Sequence, residues 1–267
     1  MIPMLRVGHR VRAAAAAAAI FFAVTQDAGA QQQAAAAPAA QGRLTTRRVA
    51  ARPRANLPEG AGLQTLSIDT GRAVLLYVPA GYRRDKPAPL MVMLHGAGGN
   101  PRRGLSWVMQ LADSAGVILV APPSRGTTWD VVRGHYGPDV ALIDRVLAHV
   151  FAAYTVDTTR LAIGGFSDGA TYALSVGITN GDLFTHVIAF SPGFMMPAAR
   201  RGAPRLYVSH GTQDQILSID ACSRQIVRRV RDAGYDVRYR EFAGGHTVPP
   251  AVAREALAWL AGEWAKR

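Results

Sequence analysis

From residue 61 onward, short runs of consecutive apolar residues alternate with amphipathic stretches, and no other feature of the chain restricts the fold as much. Runs at 73–78, 90–94, 117–121, 161–163, 186–190, 205–208 and 237–242 read as strands. Several are apolar at every position, as expected of a strand covered on both faces. Between them Ile143, Val146, Leu147, Val150, Phe151 and Tyr154 fall at helical spacing. So do Ala170, Ala173, Leu174, Gly177 and Ile178, and later Ala253, Ala256, Leu257, Leu260, Ala261 and Trp264. This alternation predicts an α/β fold, a mostly parallel sheet with helices on both faces. Ligands of such sheets sit outside the carboxyl ends of the strands, so chemistry is sought in the loops there.

With 267 residues, the chain has room for one sizeable domain plus tails. Arg6, Arg10 and Arg12, an apolar run over 13–24 and the small-x-small sequence Ala28-Gly29-Ala30 predict a signal peptide over 1–30. The run is shorter than the roughly 20 residues that span a bilayer. No integral membrane segment is therefore expected after cleavage, and the product is expected in the periplasm or outside the cell. Residues 31–60 are Ala/Gln-rich and then Arg/Pro-rich without an apolar period, which predicts a disordered tether. The folded domain would then occupy 61–267. The single Cys, Cys222, excludes an internal disulfide, so stability must come from packing. Its spacing with Ile219, Ile226 and Val230 predicts a buried helix face.

A net charge of +12 invites a nucleic-acid reading, but half of it lies in the first 60 residues, which hold eight Arg against Asp27 and Glu59. No basic-aromatic recognition motif accompanies it. No nucleic-acid partner is expected, only a mildly cationic surface.

The sequence Gly165-Phe166-Ser167-Asp168-Gly169 follows one predicted strand and precedes a predicted helix, the context of a nucleophile elbow. A strand reversing sharply into a helix crowds the positions two before and two after the serine, which favours glycine at both. The bland alternative is a glycine-rich turn with an N-cap serine. A serine hydroxyl needs a base within hydrogen-bond reach, and behind an elbow of this type the chain order is serine, acid, histidine. After Ser167 the histidines are His186, His210 and His246. His186 leaves little room for an acid before it, and His210 precedes the best acid, Asp214. Only His246, in a Gly244-Gly245-His246 loop, lies downstream. Asp214 would accept the proton on the far imidazole nitrogen and fix the tautomer; Asp220 is the substitute, placed where the next helix begins.

The loop Leu94-His95-Gly96-Ala97-Gly98-Gly99-Asn100 can aim backbone N–H groups at a developing oxyanion. The expected donors are the amides of Ala97 and Asp168, with His95 making a structural hydrogen bond. The loop lacks both a P-loop ending and dinucleotide-site spacing. No metal-ligand pair at helical spacing appears, so neither metal nor cofactor is expected.

Together Leu94–Asn100, the strand and elbow at 160–170, 139–144, His210–Asp214 and Gly244–His246 resemble the lidless esterases of the α/β-hydrolase superfamily. The resemblance is to the phospholipase/carboxylesterase and feruloyl-esterase groups, and to polyhydroxybutyrate-depolymerase-like proteins. It covers about 73–264 and implies hydrolysis of a small-molecule or polymer-linked carboxylic ester through an acyl-enzyme. Only about a dozen residues separate Phe190 from Arg205, where larger relatives insert a cap, so no cap domain is expected. Trp129, Tyr136, Phe194 and Met195 are candidate substrate-binding residues, with Met196 beside them; ordinary packing is an equal alternative for each. A peptidase or amidase on the same fold, or a non-catalytic binding protein, are the rival readings.

Overall fold

The computed structural model describes residues 37–47, 60–68 and 72–263. The expected signal peptide lies outside them, as do 31–36 and 48–59 of the expected tether and Trp264. Eight strands form one sheet: β1 Gly62–Leu66, β2 Val74–Val78, β3 Ala88–Leu94, β4 Ile118–Ala121, β5 Val156–Phe166, β6 His186–Phe190, β7 Arg205–Gly211 and β8 Val237–Phe242. Their spatial order is β1-β2-β4-β3-β5-β6-β7-β8. The pairs β1/β2 and β2/β4 are antiparallel and the other five are parallel.

Period-two alternation divides the core. Leu90, Val92 and Leu94 of β3, with Leu161 and Ile163 of β5, join one buried cluster. The helices over that face are α3 Pro138–Ala153, α4 Asp168–Thr179 and α5 Ser223–Asp232. Met91, Met93 and Ala162 point the other way, beneath α1 Pro101–Leu105, α2 Ala112–Ala115 and α6 Pro250–Ala261. All seven residues of β3 are buried. At about 1.5–3 kcal/mol per fully buried large aliphatic side chain, this central strand is a principal source of stability. Pro138 and Pro250 each open a helix, where a missing N–H costs nothing.

Residues 37–47, expected within a disordered tether, instead pack on the domain. A helical turn spans 37–40, and Leu44 is buried in the main core cluster. Arg43 pairs with Asp182 and donates to Asn180 Oδ1 at 3.0 Å. The amides of Thr45 and Thr46 donate to Asp144 Oδ1 at 3.0 and 2.8 Å. Two buried apolar residues, Ala39 and Leu44, and a set of directed polar bonds hold a segment that has no apolar period. The 191–204 connection between β6 and β7 contains no helix or strand, consistent with a domain that lacks a cap. Cys222 is buried at the start of α5 rather than within the helix.

Candidate active site

The strand β5 turns into α4 at Ser167, whose φ of 57° and ψ of −120° lie where a residue with a Cβ is strained. Crowding at the turn dictates the flanking glycines. A Cβ on Gly165 would stand 2.4 Å from the backbone of Gly169, and one on Gly169 would stand 2.5 Å from Leu94 O. The second contact, with the end of β3, is one that motif spacing does not reveal. Although Ser167 occupies the N-cap of α4, its side chain makes no capping bond. The hydroxyl is directed elsewhere.

It meets His246, whose Nε2 lies 2.9 Å from Ser167 Oγ, while Nδ1 lies 2.6 Å from Asp214 Oδ2. A carboxylate can only accept, so Nδ1 carries the proton and Nε2 accepts from the serine hydroxyl. The loops bearing Asp214 and His246 extend the β7/β8 pairing beyond the sheet. Thr212 N donates to Phe242 O and Gln213 N to Gly244 O, each at 2.9 Å. The His246 ring rests on Phe166 with centroids 4.7 Å apart, and Trp107 backs Phe166 at 5.1 Å. Neither aromatic was singled out from sequence; the position just before the serine was the available signal.

Burial opposes ionisation of Asp214, but the amides of Leu217 and Ile216 and the His246 imidazole outweigh it and hold the carboxyl below its ordinary value. His210, which precedes the acid, is wholly buried and reaches the same carboxylate, with Nε2 3.1 Å from Asp214 Oδ2. Asp220 pairs with Arg224 on the surface at 2.7 Å.

On the other side of Ser167, a Cβ on Gly96 would touch Ser167 Cβ at 3.3 Å, so the Ala97 loop runs directly beside that serine. Asp168 is the first residue of α4, and its amide has no intrahelical acceptor. The positive end of the helix therefore faces the same space. His95 is a structural histidine: Nδ1 donates to Gly96 O at 2.8 Å and Nε2 accepts from Ser124 N at 3.1 Å. Burial pushes its pKa down, which keeps it neutral.

A loop from which sequence singled out only Trp129, residues 124–129, ties these parts together. Gly98 N donates to Thr127 O at 2.7 Å, and Thr128 Oγ1 donates to Asp168 Oδ2 at 2.5 Å. Asp139 supports the loop from inside, accepting from Arg125 N at 2.6 Å and Asp130 N at 2.8 Å. Burial and the nearby Asp130 charge push Asp139 up to about 6.

Of the two readings of Trp129, the structure fits ordinary packing. It is fully buried, donates from Nε1 to His95 O at 2.8 Å and stacks on Tyr172, so it braces the loop. Tyr136 is half-buried, with its hydroxyl donating to Met196 O at 2.5 Å. Met195 packs against the core, whereas Phe194 and Met196 are exposed. Gly193, beside Phe194, approaches Leu217 of the acid loop, so the loops after β6 and β7 form adjoining parts of one rim. Among the described residues no cluster of three metal-ligating side chains occurs, and no helix is long and apolar enough to cross a membrane.

A family model described as "Putative esterase" matches residues 65–251. The chain is 29% identical over 157 residues to a protein of Aspergillus oryzae named "Probable feruloyl esterase C", covering 56% of this chain and 57% of that one. The match thus spans little more than half of the curated relative. Among solved structures, an S-formylglutathione hydrolase (FrmB) from Staphylococcus aureus superposes with a TM-score of 0.62 at 12% identity, covering 75% of this chain and 98% of that one. A CE1 ferulic acid esterase from Anaeromyces mucronatus, solved with ferulic acid, gives a TM-score of 0.57 at 16% identity, covering 76% and 91%. At those identities the likeness is one of fold, the α/β-hydrolase fold.

Proposed function

We propose that this chain, which belongs to the Esterase family, hydrolyses carboxylic esters with Ser167 as nucleophile, His246 as base and Asp214 as the acid that orients it. The observation that carries the reading is the unbroken hydrogen-bonded chain Ser167 Oγ, His246 Nε2, His246 Nδ1, Asp214 Oδ2, at 2.9 and 2.6 Å. In the first step His246 Nε2 takes the hydroxyl proton as Oγ attacks the ester carbonyl. The Ala97 and Asp168 amides donate to the oxyanion of the tetrahedral intermediate. Asp214 stabilises the imidazolium, which then protonates the departing alcohol and leaves an acyl-Ser167. Water, deprotonated by His246, attacks the acyl carbon, and collapse of the second intermediate returns the proton to Ser167 and releases the acid.

For the acyl group we take an aromatic carboxylate of the feruloyl type. Two observations support this: the relative named a feruloyl esterase, and the exposed Phe194 and Met196 on the rim. Without a cap over the nucleophile, esters attached to bulky or polymeric alcohols can approach. Export to the periplasm or beyond, directed by residues 1–30, belongs to the same reading.

The test is hydrolysis of a short aryl ester, a feruloyl ester and a matched amide by the purified protein, with fluorophosphonate labelling alongside. Ser167→Ala should lose labelling and several orders of magnitude in turnover. Retention of half the wild-type rate would refute the assignment, and a preference for the amide would move the protein to the peptidases.

A further inference from the structure

The side chain of Asp214 is shielded completely from solvent; it accepts three N–H hydrogen bonds and has a fourth N–H donor close by. Oδ1 accepts the amides of Ile216 and Leu217, each at 2.9 Å. Oδ2 accepts His246 Nδ1 at 2.6 Å and faces His210 Nε2 at 3.1 Å, with both side chains of the latter pair fully covered. The triad accounts for only one of these donors. His210 stands on β7, and its protonation pattern follows from its neighbours. Nε2 faces two acceptors, Asp214 Oδ2 and Leu217 O at 2.8 Å, so it carries the proton. Nδ1 lies 2.6 Å from Ser223 Oγ at the start of α5 and accepts from that hydroxyl. The ring is thus a neutral imidazole with a single orientation, its Nε2–H bonded to Leu217 O while the carboxylate oxygen lies 3.1 Å from the same nitrogen.

We propose that His210 is a positioning residue for hydrolysis: its Nε2–H fixes Asp214 Oδ2 in line with His246 and limits how strongly that oxygen draws the His246 proton. The inference rests on the triad reading. A carboxylate with another donor spreads its charge over more hydrogen bonds and attracts the Nδ1 proton less. Removing the donor therefore has two effects. The carboxylate gains freedom to swing from the line to Nδ1, which lowers turnover. It also holds the imidazolium more tightly, so the acid limb of the kcat/KM profile moves to higher pH.

The groups facing this pair are few. His246 and His210 face Asp214. His210 is opposed across the β7/β8 pair by Glu241, which Arg224 engages through two hydrogen bonds. The Cys222 thiol stands at the start of α5, its pKa pushed up by burial and by the Asp214 charge. Burial likewise pushes His210 down, so across the working range it remains a neutral donor.

Three full-length variants test this: His210→Leu removes the donor, His210→Gln replaces it with an amide N–H near the Nε2 position, and Ser223→Ala releases the ring from its tautomer lock. Rates are expressed per fluorophosphonate-titrated site, so that loss of folded protein does not count. His210→Leu should lose about tenfold to a hundredfold in kcat with little change in KM. Its acid limb should move up by about half a pH unit. His210→Gln should return the limb toward the wild-type position, and Ser223→Ala should move it upward by a smaller amount. If His210→Leu does not fold, the other two variants carry the comparison. An acid limb in Ser223→Ala and His210→Leu that coincides with wild type would overturn the proposal. Activity that survives Ser167→Ala would instead overturn the triad on which it rests.

Discussion

Replacing Ser167 by glycine and by alanine separates the cost of the elbow from its chemistry. Both variants lose the hydroxyl and its 2.9 Å bond to His246, so their difference reports on Cβ alone. At φ 57° and ψ −120°, a residue with a Cβ carries about 1–3 kcal/mol of backbone strain. Glycine relieves it but returns about 0.4–1 kcal/mol through the greater freedom of its unfolded chain. The balance favours glycine by about 1 kcal/mol, which for a domain of this size raises the unfolding midpoint by about 2–4 °C. Calorimetric melts of the two purified variants in one buffer read this directly. A Ser167→Gly protein that melts at or below Ser167→Ala would refute the claim that the turn stores strain.

Two further perturbations address parts away from the site. His186 is buried edge-on against Trp259, and burial, with Arg205 and Arg160 adding, lowers its pKa to about 4. Because the unfolded chain protonates this side chain near its ordinary value, the fold should lose up to about 3 kcal/mol as the pH falls from about 6.5 to 4. Urea unfolding of His186→Phe should lack most of that loss, and parallel stability profiles for variant and wild type would contradict it. Arg43→Ala removes the pairing with Asp182 and the bond to Asn180. It should cost about 1 kcal/mol or less overall, yet it should speed exchange of the Leu44 amide, which is bonded to Asn180 Oδ1. Unchanged protection of Leu44 would show that the segment is held without Arg43.

What could be read from the chain follows from how each part is held. Strands covered on both faces, such as 90–94 and 187–190, announce themselves as unbroken apolar runs. The edge strand Gly62–Leu66 is half-exposed along its length, and its one-sided pattern of Leu63, Thr65 and neighbouring polar residues was passed over. Residues 37–47 were misassigned because directed polar bonds leave no periodicity. Ser167, Asp214 and His246 were legible through their order and the glycines around them, and the structure brings all three together. Trp129 stayed open between pocket and packing because an aromatic beside a site looks the same in sequence whether it faces a ligand or the core. The bridging of Asp214 by His210 depends on the path of the loop at 212–218, which no spacing rule contains.

The interior position of Trp129 also bears on how this scaffold can be retuned. Its indole is wedged beneath the turn at His95, so changes in residues 124–129 bear first on the loop beside Ser167. The rim at Phe194, Met196 and Ile216 is solvent-facing, and randomising it leaves that scaffolding intact. Libraries aimed at new selectivity belong on the rim, and drift among natural variants should accumulate there first.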